Sequence, residues 1–348
     1  MTERRLYTRK LDLKHGRIDM SHGSGGKAMA QLIDELFGAA FSNPLLAQRN
    51  DQAAFEVSAG RMVITTDSYV VSPLFFPGGD IGSLAVHGTV NDIAMAGAKP
   101  LYLTTGFIIE EGFPLKDLDR IVTSMAEAAR AAGVAIVTGD TKVVERGKGD
   151  GVFINTTGIG VVPAGVSPSG DRARPGDAIL VSGFIGDHGV AIMSTRESLS
   201  FDTTIMSDSA ALHGLVADMV AASPDIHVMR DPTRGGLATT LNEIAHQSGV
   251  GMILREAAIP VREEVAAACE LLGLDPLYVA NEGKLVAICA PEDAIPLLEV
   301  MRKHQHGADA VIIGTVQEDD HRFVQLETSF GGKRIVDWLA GEQLPRIC

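Results

Sequence analysis

The sequence predicts an α/β (α+β) chain of two domains with a trailing tail, and three observations predict it. The 348 residues exceed what one ordinary core organises. Short apolar runs that read as strands alternate with longer stretches at helical spacing through both halves. Between the halves, VSPSGDRARPGDA (residues 166–178) concentrates turn residues and polar groups. The expected division is an arm over 1–20, an N-terminal domain over 21–165, a C-terminal domain over 172–327 and a mobile tail over 328–348.

In chain order, SHGSGGKAMAQLIDELF reads as a Gly-rich loop entering a helix, with Met29, Leu32, Ile33, Leu36 and Phe37 on one face. RMVITTDSYVV reads as a strand. The helix that follows carries Ile81, Leu84, Ala85, Ile93 and Ala94 and is closed by Gly97 and Pro100. LYLTTGFII is a strand, and a long helix runs from Pro114 to Gly133. VAIVTGD, VFINTTGIGVV, DAILVSG and DAVIIGTV are further strands. GGLATTLNEIAHQSG and PEDAIPLLEVMRKHQ are helices, and another spans Ala211 to Val220.

Apolar residues make up 45% of the chain, enough for a sizeable interior, and the net charge is −14. Such a charge repels nucleic acid and anionic membrane, so any nucleotide phosphate must be held locally. Every apolar run is broken by charge or Gly, which argues against a transmembrane span, and the polar start lacks a secretory pattern. Cys269, Cys289 and Cys348 cannot pair completely and have no metal-ligand spacing. A reducing cytoplasm is the expected compartment.

Five groupings could carry chemistry. Asp51, Asp67, Asp92 and Asp140 stand at turns beside patterned elements. Turn capping accounts for each singly, and a Mg²⁺ shell accounts for the set. In SHGSGGKAM, glycines and Lys27 suit a phosphate, although the loop lacks the Walker A pattern. In RDPTRGGL, Thr233, Arg234, Gly235 and Gly236 open a helix and suit an anion. GDTKVV and VANEGKLV place Lys142 and Glu282 just past strands, either as an acid–base pair or as solvated turns. Lastly, Cys348 ends the chain in LPRIC, where a thiol has no packing duty. A tail thiol suits a mobile carrier, and residues 337–348 can extend roughly 35–40 Å.

SGGK, TTDS, HGTVNDIAMAGAKP, GDTKV, DPTRGGL, ANEGK and the terminal PRIC together resemble the HypE family of hydrogenase maturation factors. That family lies within the aminoimidazole ribonucleotide synthetase (PurM-like) superfamily. The resemblance runs from about residue 18 to the end. It implies a homodimer whose N-terminal domains build a β-barrel-like core, each flanked by an α/β C-terminal domain, with ATP and Mg²⁺ between domains. It implies that a carbamoyltransferase, HypF, loads Cys348 with a carbamoyl group. ATP then drives its dehydration to a thiocyanate, and a HypC–HypD scaffold accepts the cyanide for [NiFe]-hydrogenase iron. It assigns Asp51, Asp67, Asp92 and Asp140 to metal and triphosphate, with Lys27, Asn91 and the 233–236 turn as further nucleotide contacts. Lys142 and Glu282 would face the carbamoyl group, with Glu282 as base and Lys142 as its electrostatic partner.

Two other readings predict different behaviour. A selenophosphate synthetase or thiamine-monophosphate kinase would not depend on Cys348, and the first usually carries a reactive residue in the Gly-rich loop, where this chain has none. An ATP-regulated scaffold with a docking tail would keep its function in Cys348→Ala.

Overall fold

A computed structural model describes residues 10–23, 27–48, 53, 55, 60–196, 205–339 and 346–348. In the N-terminal half, α1 (Lys27–Leu32) runs through a π-helical turn at Ile33–Phe37 into the short α2 (Gly38–Ala40). Leu32, Leu36 and Phe37 are buried as their spacing predicts, but Ile33 is 42% exposed. The wider π turn rotates side chains away from positions counted at 3.6 residues per turn.

β1 (Arg61–Tyr69) leads to a small hairpin, β2 (Phe75–Phe76) and β3 (Gly79–Asp80). Asp80 caps α3 (Ile81–Met95) by accepting from the Gly82 and Ser83 amides, while the Ser83 hydroxyl accepts from the Asp80 amide. β4 (Lys99–Glu110), α4 (Leu115–Ala131), β5 (Ala135–Val144) and β6 (Val152–Val162) follow. The sheet order is β1-β6-β4-β5, with β4 and β5 parallel and the other pairs antiparallel. Residues such as Leu103, Phe107, Ile109 and Ile154 point inward to the helices. The alternate residues form an open face on which Ile64 is 73% exposed.

β7 (Ala178–Val181) begins the C-terminal half, followed by α5 (Asp187–Arg196), α6 (His213–Ala222), β8 (Val228–Arg230), α7 (Gly236–Ser248) and β9 (Gly251–Arg255). Next come α8 (Glu263–Leu272), β10 (Val286–Cys289), α9 (Pro291–Lys303), β11 (Val311–Gln317), β12 (Val324–Glu327) and β13 (Lys333–Ile335). All seven strands join one sheet in the order β13-β12-β9-β11-β7-β10-β8. Both faces are covered. Ile179 and Val181 join the core that holds Leu237 and Leu241 of α7, while Ala178 and Leu180 join the core of α6 and α9. That explains the unbroken apolar run AILV. Cys269 and Cys289 are buried core residues, as their neighbours predict. β13 lies beyond residue 327, where the sequence pattern predicts a tail. It pairs with β12, and the Val336 that follows is fully buried. Its apolar residues are too few to read as a strand without that partner.

The halves are joined through α3. Asn91 is buried, and its side-chain amide donates to the carbonyls of Ala210 (3.0 Å) and Glu282 (3.2 Å) while accepting from the Leu212 amide (2.7 Å). The segment 208–212 is in turn pressed onto Gly283, where a Cβ would stand 1.8 Å from the Asp208 carbonyl oxygen. Only glycine permits that approach. Asn91→Ala removes three hydrogen bonds to backbone groups at the joint and should lower unfolding free energy by about 2–4 kcal/mol, measured by urea denaturation. A loss under about 0.5 kcal/mol would show that the joint does not depend on this amide.

Candidate active site at the domain interface

The cleft of about 710 Å³ between the halves is lined by Thr65 of β1, Asp92 of α3 and the turn that carries Asp231, Thr233 and Arg234. The turn owes its shape to Gly235 and Gly236, whose φ values of 77° and 59° are strained for any residue with a Cβ. Asp92 accepts from the Thr65 hydroxyl at 2.7 Å. Burial raises the proton affinity of its carboxyl, and the neighbouring Asp67 adds to the effect. Asp231 responds more strongly: burial, then the charge of Asp92, push its pKa from 3.8 to about 7.

Glu282 lies close to these carboxyls. It is 3% exposed, its amide donates to Asp208 Oδ1 (3.0 Å), and its Oε1 is buried with no hydrogen-bond partner among the described residues. Burial first, then the charges of Asp231, Asp208, Asp67 and Asp92, raise its pKa well above 4.5. A buried carboxyl ringed by carboxylates is held protonated. The preceding Asn281 fixes the turn, accepting from the Gly186 amide (2.7 Å) and donating to the Pro232 carbonyl (2.8 Å).

The end of the same chain enters this neighbourhood. Ile347 is buried in the N-terminal core, and the Cys348 carbonyl accepts from the Val70 amide at 3.1 Å. Burial raises the Cys348 thiol's pKa. Glu282 and Asp67 push it the same way, against Arg234. A docked, unmodified Cys348 is therefore held as a thiol and not as the nucleophilic thiolate.

Several expected site residues lie elsewhere. Lys142 and Asp140 sit on the open face of the first sheet, opposite Ile108 and Gly106, about 60% exposed and paired with each other at 2.5 Å. Glu282 is surrounded by carboxylates and not by Lys142, so the expected Lys142–Glu282 pair does not form within the chain. The two-residue strand period puts positions 140 and 142 on the face turned away from the cleft. Asn91 has its amide engaged in the joint between the halves. Lys27 begins α1 in the N-terminal half. Asp51 lies outside the described residues. Sequence reasoning left out Asp208 and Lys284, an ion pair at 3.2 Å beneath Glu282, and His188 and Asn281. The GK of ANEGK was visible, but its partner is 76 residues away and only folding brings it near.

The chain matches the N-terminal domain of the AIR synthase related proteins over residues 49–162 and their C-terminal domain over residues 174–327. It is 71% identical over 339 residues to the carbamoyl dehydratase HypE of Azotobacter vinelandii, covering 97% of this chain and 99% of the relative. The chain belongs to the HypE family. A solved HypE in complex with ATP superposes with a TM-score of 0.92 at 55% identity, covering 94% of this chain and 99% of that one. The HypE chain of a HypE–HypF complex gives 0.79 at 53% identity, covering 88% and 99%. DPTRGG, ANEG and PRIC are far apart in sequence, yet Asp231 and Arg234, Glu282 and Cys348 lie close enough to act on one another's charge.

The raised carboxyls make stability fall as pH rises. Asp231 ionises near 3.8 when unfolded but near 7 when folded, so its penalty is absent below pH 3.8 and accumulates toward pH 7. Asp231→Asn should flatten that part of the stability–pH curve, measured by denaturation across the window. An unchanged slope would contradict the burial of this carboxyl.

Proposed function

We propose that this chain is an ATP-dependent carbamoyl dehydratase that works on its own last residue, converting an S-carboxamide on Cys348 to a thiocyanate for the cyanide ligand of [NiFe]-hydrogenase iron. The observation that supports this most is the docking of Cys348 beside a buried, unpartnered, protonated carboxyl. The reaction consumes the thiocarboxamide and ATP and gives thiocyanate, ADP and phosphate. An amide oxygen is a poor leaving group, and phosphorylation makes it leave as phosphate. The nitrogen must then lose both protons. Glu282 is the carboxylate within reach of that nitrogen, and its raised proton affinity makes it a strong base once ionised. Its burial excludes the water that would hydrolyse an activated carbamoyl group.

ATP would lie in the cleft, with Thr233 and Arg234 toward its phosphates. No three acidic, His or Cys side chains among the described residues converge on one metal position. Mg²⁺ nevertheless fits the donor set, because it accepts one or two carboxylates and completes its shell with phosphate and water. Asp67 and Asp92, each raising the other's burden of charge, would hold it, and it would neutralise charge on the transferring phosphoryl. Asp140 and Lys27 remain candidates for nucleotide contacts from outside this part of the cleft, and Lys142 a candidate electrostatic partner for the carbamoyl group. The open face carrying Ile64 supports a homodimer packed sheet to sheet. HypF is the partner that would load the thiol, a HypC–HypD scaffold the acceptor, and the cytoplasm the compartment.

Purified chain, HypF, carbamoyl phosphate and ATP–Mg²⁺ should give a carbamoyl adduct on Cys348 that loses one water, read by tail-peptide mass spectrometry. Glu282→Gln should accept the adduct but dehydrate it about 10²–10⁴-fold more slowly. The wild-type rate should fall on an acid limb above pH 4.5. An adduct that stays hydrated with hydrolysable ATP would overturn the reading.

A further inference from the structure

Nothing in the dehydration chemistry by itself explains how a chain terminus finds one position in the cleft. The last three residues are held by a set of contacts that use no part of the thiol. The Ser72 amide donates to the Arg346 carbonyl (3.2 Å), the Val70 amide to the Cys348 carbonyl (3.1 Å), and Arg346 Nε to the Val70 carbonyl (2.9 Å). The tail end thus pairs with residues 70–72 as an added strand would. Arg346 also pairs with Asp150, and its φ of 52°, rare for a residue with a Cβ, turns Ile347 into the core.

His188 fixes the centre of this set. It is fully buried at the start of α5, packed edge-on to Phe76 at 5.6 Å, and burial lowers its pKa, so the ring is neutral. Its Nε2 lies 2.9 Å from the Ile347 carbonyl and its Nδ1 2.7 Å from the Ser207 hydroxyl. A carbonyl can only accept, so Nε2 carries the proton. Nδ1 is then an acceptor, and Ser207 donates to it. Ser207 is itself positioned, its amide donating to the Pro77 carbonyl at 2.8 Å and its hydroxyl accepting from the Ser209 amide at 3.1 Å. Farther along α5, Arg196 donates to the carbonyls of both Ser72 and Arg346, tying the two paired segments together.

We infer that His188, with its tautomer set by Ser207, and Arg196 are positioning residues that seat the tail, and that Ile347 is its apolar anchor. The seat recognises main chain, the Arg346 guanidinium and one branched aliphatic side chain, and none of these contacts uses the Cys348 sulfur. This rests on the proposed dehydration only for its purpose. The docking itself is measurable on unmodified protein.

The test is the alkylation rate of Cys348 by iodoacetamide in the full chain, read on the C-terminal peptide, with fold checked by thermal melting. Ile347→Asn alters only the tail and should raise the rate about tenfold. His188→Ala should do the same by removing the donor, and His188→Gln, which keeps an N–H near the Nε2 position, should restore slow alkylation. After carbamoyl loading, single-turnover water loss should slow in Ile347→Asn and His188→Ala and recover in His188→Gln. Equal alkylation of wild type and Ile347→Asn would overturn the seat. Equal alkylation of His188→Gln and His188→Ala, both folded, would overturn the role of His188. Altered alkylation with no dehydration in wild type would leave the seat standing and remove the proposed function.

Discussion

The arrangement depends on one buried amide. Asn91 uses its hydrogen-bonding groups to hold the backbone of residues 210, 212 and 282 against α3. Without this joint, Asp67 and Asp92 belong to one half, and Asp208, Asp231 and Glu282 to the other, with water between them. With it, these carboxyls come together, and burial with the neighbouring charges raises the proton affinity of Asp92, Asp231 and Glu282. Crowded carboxyls are unfavourable in the empty cleft. The same crowding favours cations and makes Glu282 a stronger base than a solvated glutamate.

The tail completes the site on a narrow energetic margin. Ordering three residues costs about 3–6 kcal/mol of backbone entropy. Burying the Ile347 side chain returns roughly 1.5–3 kcal/mol. The main-chain and side-chain hydrogen bonds add about 1 kcal/mol each, net of water. Fixing the Arg346, Ile347 and Cys348 side chains costs about 3 kcal/mol more, which brings the two sides to similar size, so docking is reversible, as a carrier that must also visit a loading enzyme requires. The raised pKa of the docked thiol separates the two tasks. The seated sulfur is a poor nucleophile, and loading belongs to the undocked tail.

Much of this was legible in the sequence, and the limits have physical causes. The long helix 115–131 and the doubly buried strand AILV follow from hydrophobic period, which is local. Glu282, Arg234 and Cys348 stand out in the sequence by motif, and folding brings them close enough to interact. The pairing of Lys142 with Glu282 was not legible, because it depends on which sheet face a strand residue takes relative to a cleft that the other half supplies. Asn91 and Asp92 adjoin in TVNDIA, yet their side chains have different surroundings. One step around a helix turns the side chain by about 100°, from the cleft into the domain joint. His188, Asp208 and Lys284 act through partners far along the chain, and no local pattern marks them.

The central claim is that Glu282 is a protonated, buried carboxyl facing the tail cysteine. Infrared titration of the full chain, taken as the difference from Glu282→Gln, tests it most directly. The account predicts that the protonated-carboxyl band of Glu282 persists at pH values well above 4.5. A band that disappears near pH 4.5 would show a solvated glutamate and contradict the account.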